Sequence, residues 1–181
     1  MSKNKNTIGI LKYSKEIKEE MEERLEQSMT KLLFEMPFKQ ISISRLCQEA
    51  NVSRMAYYAH FTDKMEILER LVIKLNKDLI ASVGSPFIAI PDKTWYVRLF
   101  QYIYNKKEVF IHLFEAGFYE KYLNLLNEVI IKKENLTSLE TIKRLVWNGG
   151  IVNAVKYWLM EKGASITIDE MADYCYKTFN W

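Results

Sequence analysis

Apolar residues recur at intervals of three and four along most of the chain, which is the spacing of one face of an α-helix. An early example runs from Ile17 to Leu33, and a series of glutamates occupies the opposite side of the same segment, where we expect a solvated surface. Only three prolines and six glycines interrupt the 181 residues. The pattern predicts an all-α protein of about nine helices, the first at about residues 15–35.

Two short helices joined by a tight turn are predicted next. The first covers about residues 43–50, and the hydroxyl of Ser42 can cap its N-terminus. Asn51 follows directly, and asparagine tolerates the left-handed conformation that ends a helix. Ser53 can cap the second helix in the same way. This layout is a helix-turn-helix, whose second helix can enter the major groove of DNA.

The residues around this motif resemble the DNA-binding segment of the TetR/AcrR family of bacterial regulators. The matching residues are Phe38, Ile41, Ser42, Ile43, Leu46, Ala50, Asn51, Val52, Ser53, Tyr57, Tyr58, His60, Phe61, Asp63, Lys64 and Leu68. Asn51 stands where the family commonly has glycine, and Ala59 stands where a larger polar residue is often found. The loss of a contact at Ala59 leaves the target DNA sequence open.

We assign a set of residues in and beside the second motif helix to the DNA interface. They are Ser42, Ser53, Arg54, Met55, Ala56, Tyr58, His60 and Lys64. Arg54 can pair with guanine or hold a phosphate, whereas Met55 and Ala56 offer apolar contact, for example to a thymine methyl. The resemblance implies phosphate contacts for Tyr58, His60 and Lys64. The alternative is a helical bundle with no DNA role.

Charge is distributed unevenly, although the formal net charge is only +3. Residues 1–15 contain four lysines and no acid, and residues 39–64 contain four basic against two acidic side chains. Both segments could supply phosphate contacts. For the N-terminal lysines, a solvated and disordered tail is the equal alternative.

The remaining composition favours a protein without a metal or a cofactor. Cys47 and Cys175 are far apart and have no metal-ligand neighbour at a suitable spacing, so we interpret both as core residues in a reducing compartment. Neither a signal peptide nor a membrane-spanning stretch is visible, which predicts a cytoplasmic protein. With two histidines and no catalytic set or phosphate loop at a meaningful spacing, the sequence does not indicate an enzyme.

Helix-breaking residues between Val83 and Lys93 mark the clearest boundary. Before it, a long helix is predicted from Asp63 to Gly84, with Asp63 and Glu66 as a capping-box variant. We therefore predict a DNA-binding domain at 1–62 and an effector-binding and dimerisation domain at 63–181, with helix 63–84 as the connector. Later helices are predicted at about 92–104, 106–115, 117–133, 138–162 and 168–179.

Helix-end signals support the last two of these helices. Thr137 with Glu140, and Thr167 with Glu170, have the spacing of capping boxes. Gly163 is a candidate C-cap for the penultimate helix.

The region beyond the boundary is rich in aromatic residues, and in the TetR/AcrR family such a region holds an effector pocket and a dimer interface. We expect a pocket for a small apolar or aromatic effector, lined by Tyr96, Phe100, Phe114, Phe118 and Trp147. Plain core packing is the alternative for these residues. We expect a dimer interface in the last two helices, comprising Gly149, Gly150, Val152, Met171 and Cys175.

The adjacent pair Gly149 and Gly150 needs an explanation, because each glycine costs about 1 kcal/mol relative to alanine inside a helix. Close approach of another helix or a local bend would account for them.

The sequence thus predicts a homodimeric, DNA-binding transcriptional repressor that a small molecule releases from its operator. Release would come from an effector that favours a conformation in which the spacing of the two motif helices does not match adjacent major grooves. The alternative is a TetR-like co-activator whose C-terminal domain binds a protein partner instead of a small ligand.

Overall fold

The computed structural model describes residues 3–88, 91–132, 135–161 and 165–179, with side chains from residue 15 onwards. Over these ranges the chain forms nine α-helices and no strand, which confirms the predicted all-α fold. The helices are α1 (Lys3–Glu35), α2 (Ile43–Glu49), α3 (Arg54–Tyr58), α4 (Lys64–Val83), α5 (Lys93–Asn105), α6 (Lys107–Glu115), α7 (Tyr119–Ile131), α8 (Ser138–Met160) and α9 (Ile168–Phe179). A 3-10 turn, Phe38–Gln40, follows α1. None of the described helices is both long and apolar enough to cross a membrane.

The chain divides into two compact units, residues 1–71 and residues 72–181. The division falls within α4 and not at its first residue. The first half of α4 therefore belongs to the core of the first unit, and the second half belongs to the core of the second.

Helix α1 of the first unit is longer than predicted, because it begins at Lys3 and not near residue 15. Residues 3–14 thus continue the helix, which does not fit a disordered tail. The predicted apolar stripe is buried from Met21 to Leu33, but Ile17 is 50% exposed.

The acidic side of α1 is not uniformly solvated. Glu22 and Glu26 are buried, and the Arg70 guanidinium on α4 lies 2.6 Å from Glu22 and 3.0 Å from Glu26. Buried carboxylates need such charged partners, since removing an unpaired charge from water costs several kcal/mol. This cluster fixes α1 to the start of α4.

In the second unit, α5 packs along α9 and α7 packs along α8. The fully buried side chains of Tyr96, Phe100 and Trp158 form its centre. The capping box of Thr137 and Glu140 is present at the start of α8, and Thr167 and Glu170 make the same reciprocal hydrogen bonds before α9. Gly163, the predicted C-cap of α8, lies outside the described residues.

Candidate nucleic-acid interface and internal cavity

The turn between α2 and α3 is set by Asn51. Its φ of 51° is left-handed, as predicted, and the Val52 N–H donates to the Cys47 carbonyl at 2.9 Å. This bond satisfies one of the carbonyls that a helix leaves free at its C-terminus. The turn therefore fixes the direction in which α3 leaves α2.

Both predicted serine caps are confirmed. Ser42 Oγ accepts a hydrogen bond from the Arg45 N–H at 3.1 Å, and Ser53 Oγ accepts one from the Ala56 N–H at 3.0 Å. Each side chain is exposed, and each hydroxyl proton is still available to a phosphate oxygen. The same residues can therefore order the two helices and contact a DNA backbone.

One face of the short helix α3 points to solvent. Arg54, Tyr58 and His60 are exposed, and Met55 is 84% exposed, an unusual value for a large apolar side chain. Ala56 is half-buried, so it contributes a narrow contact at most. A capped helix with an exposed arginine and methionine has the side chains that can contact base edges.

The opposite face of α3 is core. Tyr57 and Phe61 are buried, with ring centroids 5.5 Å apart. The Tyr57 hydroxyl is buried without a hydrogen-bond partner among the described residues, and burial raises its pKa.

The basic residues around α3 differ in how strongly they are neutralised. Glu49 lies 2.5 Å from the Lys31 ammonium and 3.7 Å from the Arg45 guanidinium. A hydrogen bond from Lys31 lowers the pKa of Glu49, so this carboxylate is charged at neutral pH. Arg54, in contrast, makes no ion pair with any described residue; its guanidinium carbon lies 6.0 Å from the centre of the Tyr58 ring. Arg54 therefore carries the available positive charge on α3.

Lys64 has a structural contact that the sequence did not indicate. Its ammonium donates to the carbonyls of Phe38 at 2.8 Å and Ile41 at 2.6 Å, and lies 4.2 Å from the Phe38 ring centre. Burial lowers the pKa of this ammonium. Two of its three N–H groups are thus used to close the 3-10 turn, which leaves one for a phosphate.

The predicted capping box of Asp63 and Glu66 differs in detail from the hydrogen bonds in the structure. The Glu66 carboxylate accepts hydrogen bonds from the backbone N–H and the hydroxyl of Thr62, and the backbone of Asp63 makes a weaker contribution to lowering the Glu66 pKa. Asp63 Oδ1 accepts from the Met65 N–H at 3.3 Å. The start of α4 is nevertheless capped by both residues.

The second unit contains a cavity of about 250 Å³. Its wall is formed by residues of α4 to α8 together with the loop at Ser85 and Phe87. Most of the wall is apolar and aromatic, and among the described residues that form it none is an Asp, Glu, Lys, Arg or His. Such a composition suits an uncharged molecule.

The cavity uses some of the predicted pocket residues and not others. Phe114 and Trp147 lie on its wall. Tyr96, Phe100 and Phe118 are buried elsewhere: Phe100 packs edge-on against Trp158, and the Tyr96 hydroxyl accepts a hydrogen bond from Trp147 Nε1 at 3.1 Å. These three side chains pack in the core and are not among the residues that line the cavity. Tyr96 stands behind the wall and orients Trp147.

Several wall residues were missed by sequence reasoning. They include Asn76 on α4, Phe87 in the loop, Tyr122 on α7, and Asn148 on α8. Asn148 is buried, and its amide donates to Asn127 Oδ1 at 2.8 Å. A buried asparagine within an apolar helix was the signal in the sequence that could have located this site.

The residues predicted for the dimer interface are mostly internal. Val152, Met171 and Cys175 are buried within a single chain, so they pack between the helices of the second unit. At Gly150 an added Cβ would lie 2.5 Å from the Phe179 ring, which explains this glycine by close approach of α9. At Gly149 an added Cβ would meet no atom of the described residues within 4 Å, apart from the backbone of α8 itself.

A different stripe of α8 is exposed. Leu139, Ile142, Val146 and Tyr157 are 50–63% exposed and follow one side of the helix, with Gly149 between them. Tyr174 on α9 is also exposed, at 67%. Monomeric proteins seldom leave such a continuous apolar patch open to water. We call Leu139, Ile142, Val146 and Tyr157 the α8 stripe.

No protein-family model and no curated protein matches the chain. Solved structures do. A TetR-family transcriptional regulator from Streptomyces coelicolor superimposes with a TM-score of 0.64 at 16% identity, over 89% of this chain and 79% of that one. The dihydroxyacetone kinase operon activator DhaS superimposes with a TM-score of 0.56 at 13% identity, over 88% and 94%. At these identities the likeness establishes the architecture, and the protein has a TetR-like fold.

Proposed function

We propose that the protein is a transcriptional regulator that binds double-stranded DNA through α3. The observation that supports this most strongly is the exposed face of α3, where Arg54 has no ion-pair partner among the described residues and Met55 projects into solvent. Two serine caps and the Asn51 turn hold this face in place. In a TetR-like fold, such a helix is suited to reading the major groove.

The interface would combine two kinds of contact. Arg54 and Met55 would meet base edges, whereas Ser42, Ser53, Tyr58 and His60 would meet phosphates. Ala56 would add a small apolar contact. Lys64 would act mainly by holding the turn before α2, since two of its three N–H groups are already bound.

The test is DNA affinity measured by fluorescence anisotropy at a stated salt concentration, with DNA flanking the protein's own gene. Arg54→Ala should weaken specific binding by about 1–3 kcal/mol, which is the range for one bidentate base contact. Arg98→Ala is the matched control, because Arg98 is also an exposed arginine but lies in the second unit. Equal affinities for wild type and both variants would count against α3 as the DNA-binding helix.

We further propose that the regulator is a homodimer joined through the last two helices, with the α8 stripe at its centre. The stripe is apolar and exposed in the single chain, and the open backbone at Gly149 lets another helix approach closely. This revises the residues expected from the sequence while keeping the helices.

Ile142→Glu should convert the dimer to monomers in sedimentation velocity measurements. Ile131→Glu is the control, since Ile131 has similar exposure but lies at the end of α7. Dissociation by both variants would indicate a general effect of added charge, and dissociation by neither would remove the stripe from the interface.

Repression with release by an effector is the form of regulation that the cavity supports. Helix α4 contributes Lys64 to the first unit and Asn76, Leu79 and Val83 to the cavity wall. A ligand in the cavity would favour one position of α4 and so change the spacing of the two α3 helices in the dimer. DNA half-sites one turn apart, about 34 Å, would then no longer be matched.

The second candidate is an activator whose C-terminal unit binds a protein partner. Its support is the likeness to the operon activator DhaS and the exposed α8 stripe, which a partner could cover. A reporter gene behind the bound DNA separates the two: deleting the protein raises expression if it represses and lowers expression if it activates.

A further inference from the structure

We infer that the effector is an uncharged, largely apolar molecule with one ring and a single polar group. This inference rests on the proposed function, since it names the ligand class of the cavity in the second unit. It concerns the charge, size and hydrogen-bonding chemistry of the ligand.

The composition of the cavity wall argues against a charged ligand. Its polar residues are Asn76, Ser85, Tyr122 and Asn148, and all four are neutral. A charged ligand would lose its hydration on entering and would meet no counter-charge on the wall, at a cost of several kcal/mol. Arg144 lies near the cavity, but its guanidinium is 4.8 Å from the centre of the Phe87 ring and is not part of the wall.

Size follows from the volume. A cavity of about 150 Å³ accommodates a benzene ring. The volume of this cavity, about 250 Å³, therefore corresponds to roughly ten non-hydrogen atoms, a ring with a short substituent.

The arrangement of aromatic side chains favours a planar ring. Trp95 and Trp147 lie on the wall with ring centres 5.9 Å apart, and Phe87 meets Trp147 edge-on at 5.3 Å. Both indole N–H groups are already bonded, to the Gly84 carbonyl and to the Tyr96 hydroxyl. The tryptophans therefore present carbon faces and edges to the ligand, which suit offset stacking.

The polar group of the ligand has two neutral partners available. The Tyr122 hydroxyl makes no hydrogen bond to a described residue, and burial raises its pKa, so it remains a donor at neutral pH. The Asn148 amide is held in place by its bond to Asn127. A ligand hydroxyl or carbonyl could pair with either residue.

The test compares probes of nearly equal size by isothermal titration calorimetry on the full-length protein without DNA. The probes are 2-phenylethanol and ethylbenzene (neutral), 2-phenylethylammonium (a cation) and phenylacetate (an anion). We expect the neutral probes to bind at least about thirty-fold more tightly than either ion. Tyr122→Phe should weaken 2-phenylethanol several-fold and leave ethylbenzene unchanged.

Two matched pairs of variants locate the binding. Leu126→Trp should abolish binding because Leu126 is on the wall, whereas Leu125→Trp, on the same helix but off the wall, should not. Asn148→Asp should shift the preference toward 2-phenylethylammonium, and Asn124→Asp on the exposed side of α7 should not. Circular dichroism checks that each variant is folded.

The inference is overturned if an ion binds as tightly as the neutral probes, or if no neutral probe binds at 1 mM. Neither result bears on the proposed DNA binding, because DNA affinity is measured in a separate experiment. If the wild-type protein prefers the neutral probes but binds no DNA specifically, the proposed regulator function is refuted instead.

Discussion

Gly149 and Gly150 are neighbours in α8, yet the structure gives them different surroundings. Replacing either by alanine should gain about 1 kcal/mol from helix propensity. At Gly149 no described residue opposes this gain, since apart from the backbone of α8 itself none has an atom within 4 Å of the added Cβ. At Gly150 the Cβ would lie 2.5 Å from the Phe179 ring, which must move and lose its packing against Trp147.

The two alanine substitutions should therefore differ in their effect on the free energy of unfolding. In a monomeric Ile142→Glu background, Gly149→Ala should raise the free energy of unfolding of the second unit by about 1 kcal/mol, or the Tm by about 4 °C. Gly150→Ala should be neutral or destabilising by about 1 kcal/mol, because the ring displacement offsets the propensity gain. In the dimeric parent, Gly149→Ala should also weaken dimerisation by about tenfold, or about 1.4 kcal/mol, because its Cβ obstructs the approaching helix.

The assay is urea unfolding followed by tryptophan fluorescence. All four tryptophans lie within residues 72–181, so this signal reports the second unit alone. Dimer affinity comes from sedimentation of the parent and of Gly149→Ala. If Gly149→Ala stabilises the monomer but leaves dimer affinity unchanged, the close approach of a partner helix at this glycine is refuted. If Gly149→Ala destabilises the monomer, the open surroundings at this position are refuted.

Three further predictions concern stability. Asn51→Gly should stabilise the first unit, and Asn51→Ala should destabilise it by about 1–2 kcal/mol, since φ at this position is left-handed; hydrogen exchange of the α2 amides measures both effects. Tyr57→Phe should raise the stability of the same unit by up to about 1 kcal/mol, because it removes a buried hydroxyl without a partner; an unchanged or lower stability would show that the hydroxyl is satisfied. Hydrogen bonds from Thr137 and Thr167 lower the pKa of Glu140 and Glu170 below 4.5. The two caps therefore stabilise α8 and α9 above that pH, and this stabilisation is lost as the pH falls through the lowered pKa values. A Glu140→Gln variant should show a smaller loss of helicity between pH 5 and pH 3 than the wild type.

Local features were predictable because their causes lie within a few residues. The caps at Ser42, Ser53 and Thr137 depend on a hydroxyl and an N–H three residues apart, and the structure contains all three. The left-handed Asn51 follows from the same local logic. The DNA-binding roles of the exposed residues remain predictions.

The spacing of apolar residues could not predict which element each apolar helix face packs against. An apolar face indicates burial, but the neighbour that buries it is a tertiary property. Met171 and Cys175 face α5 within the chain and not a second copy, whereas Val146 on α8 remains exposed. Tyr96 lies behind Trp147 and not beside it on the cavity wall, since periodicity specifies a direction and not a depth.

The most direct test of the central claim is a footprint on DNA selected by the wild-type protein from a random pool. The proposed homodimer should protect two half-sites related by a twofold axis, with their centres about one helical turn, or 10–10.5 base pairs, or a multiple of it apart. At the lowest concentration at which the wild type protects fully, Arg54→Ala should lose most of this protection, while Arg98→Ala should retain it. Failure to enrich any DNA sequence, or protection that is unchanged by Arg54→Ala, would contradict it.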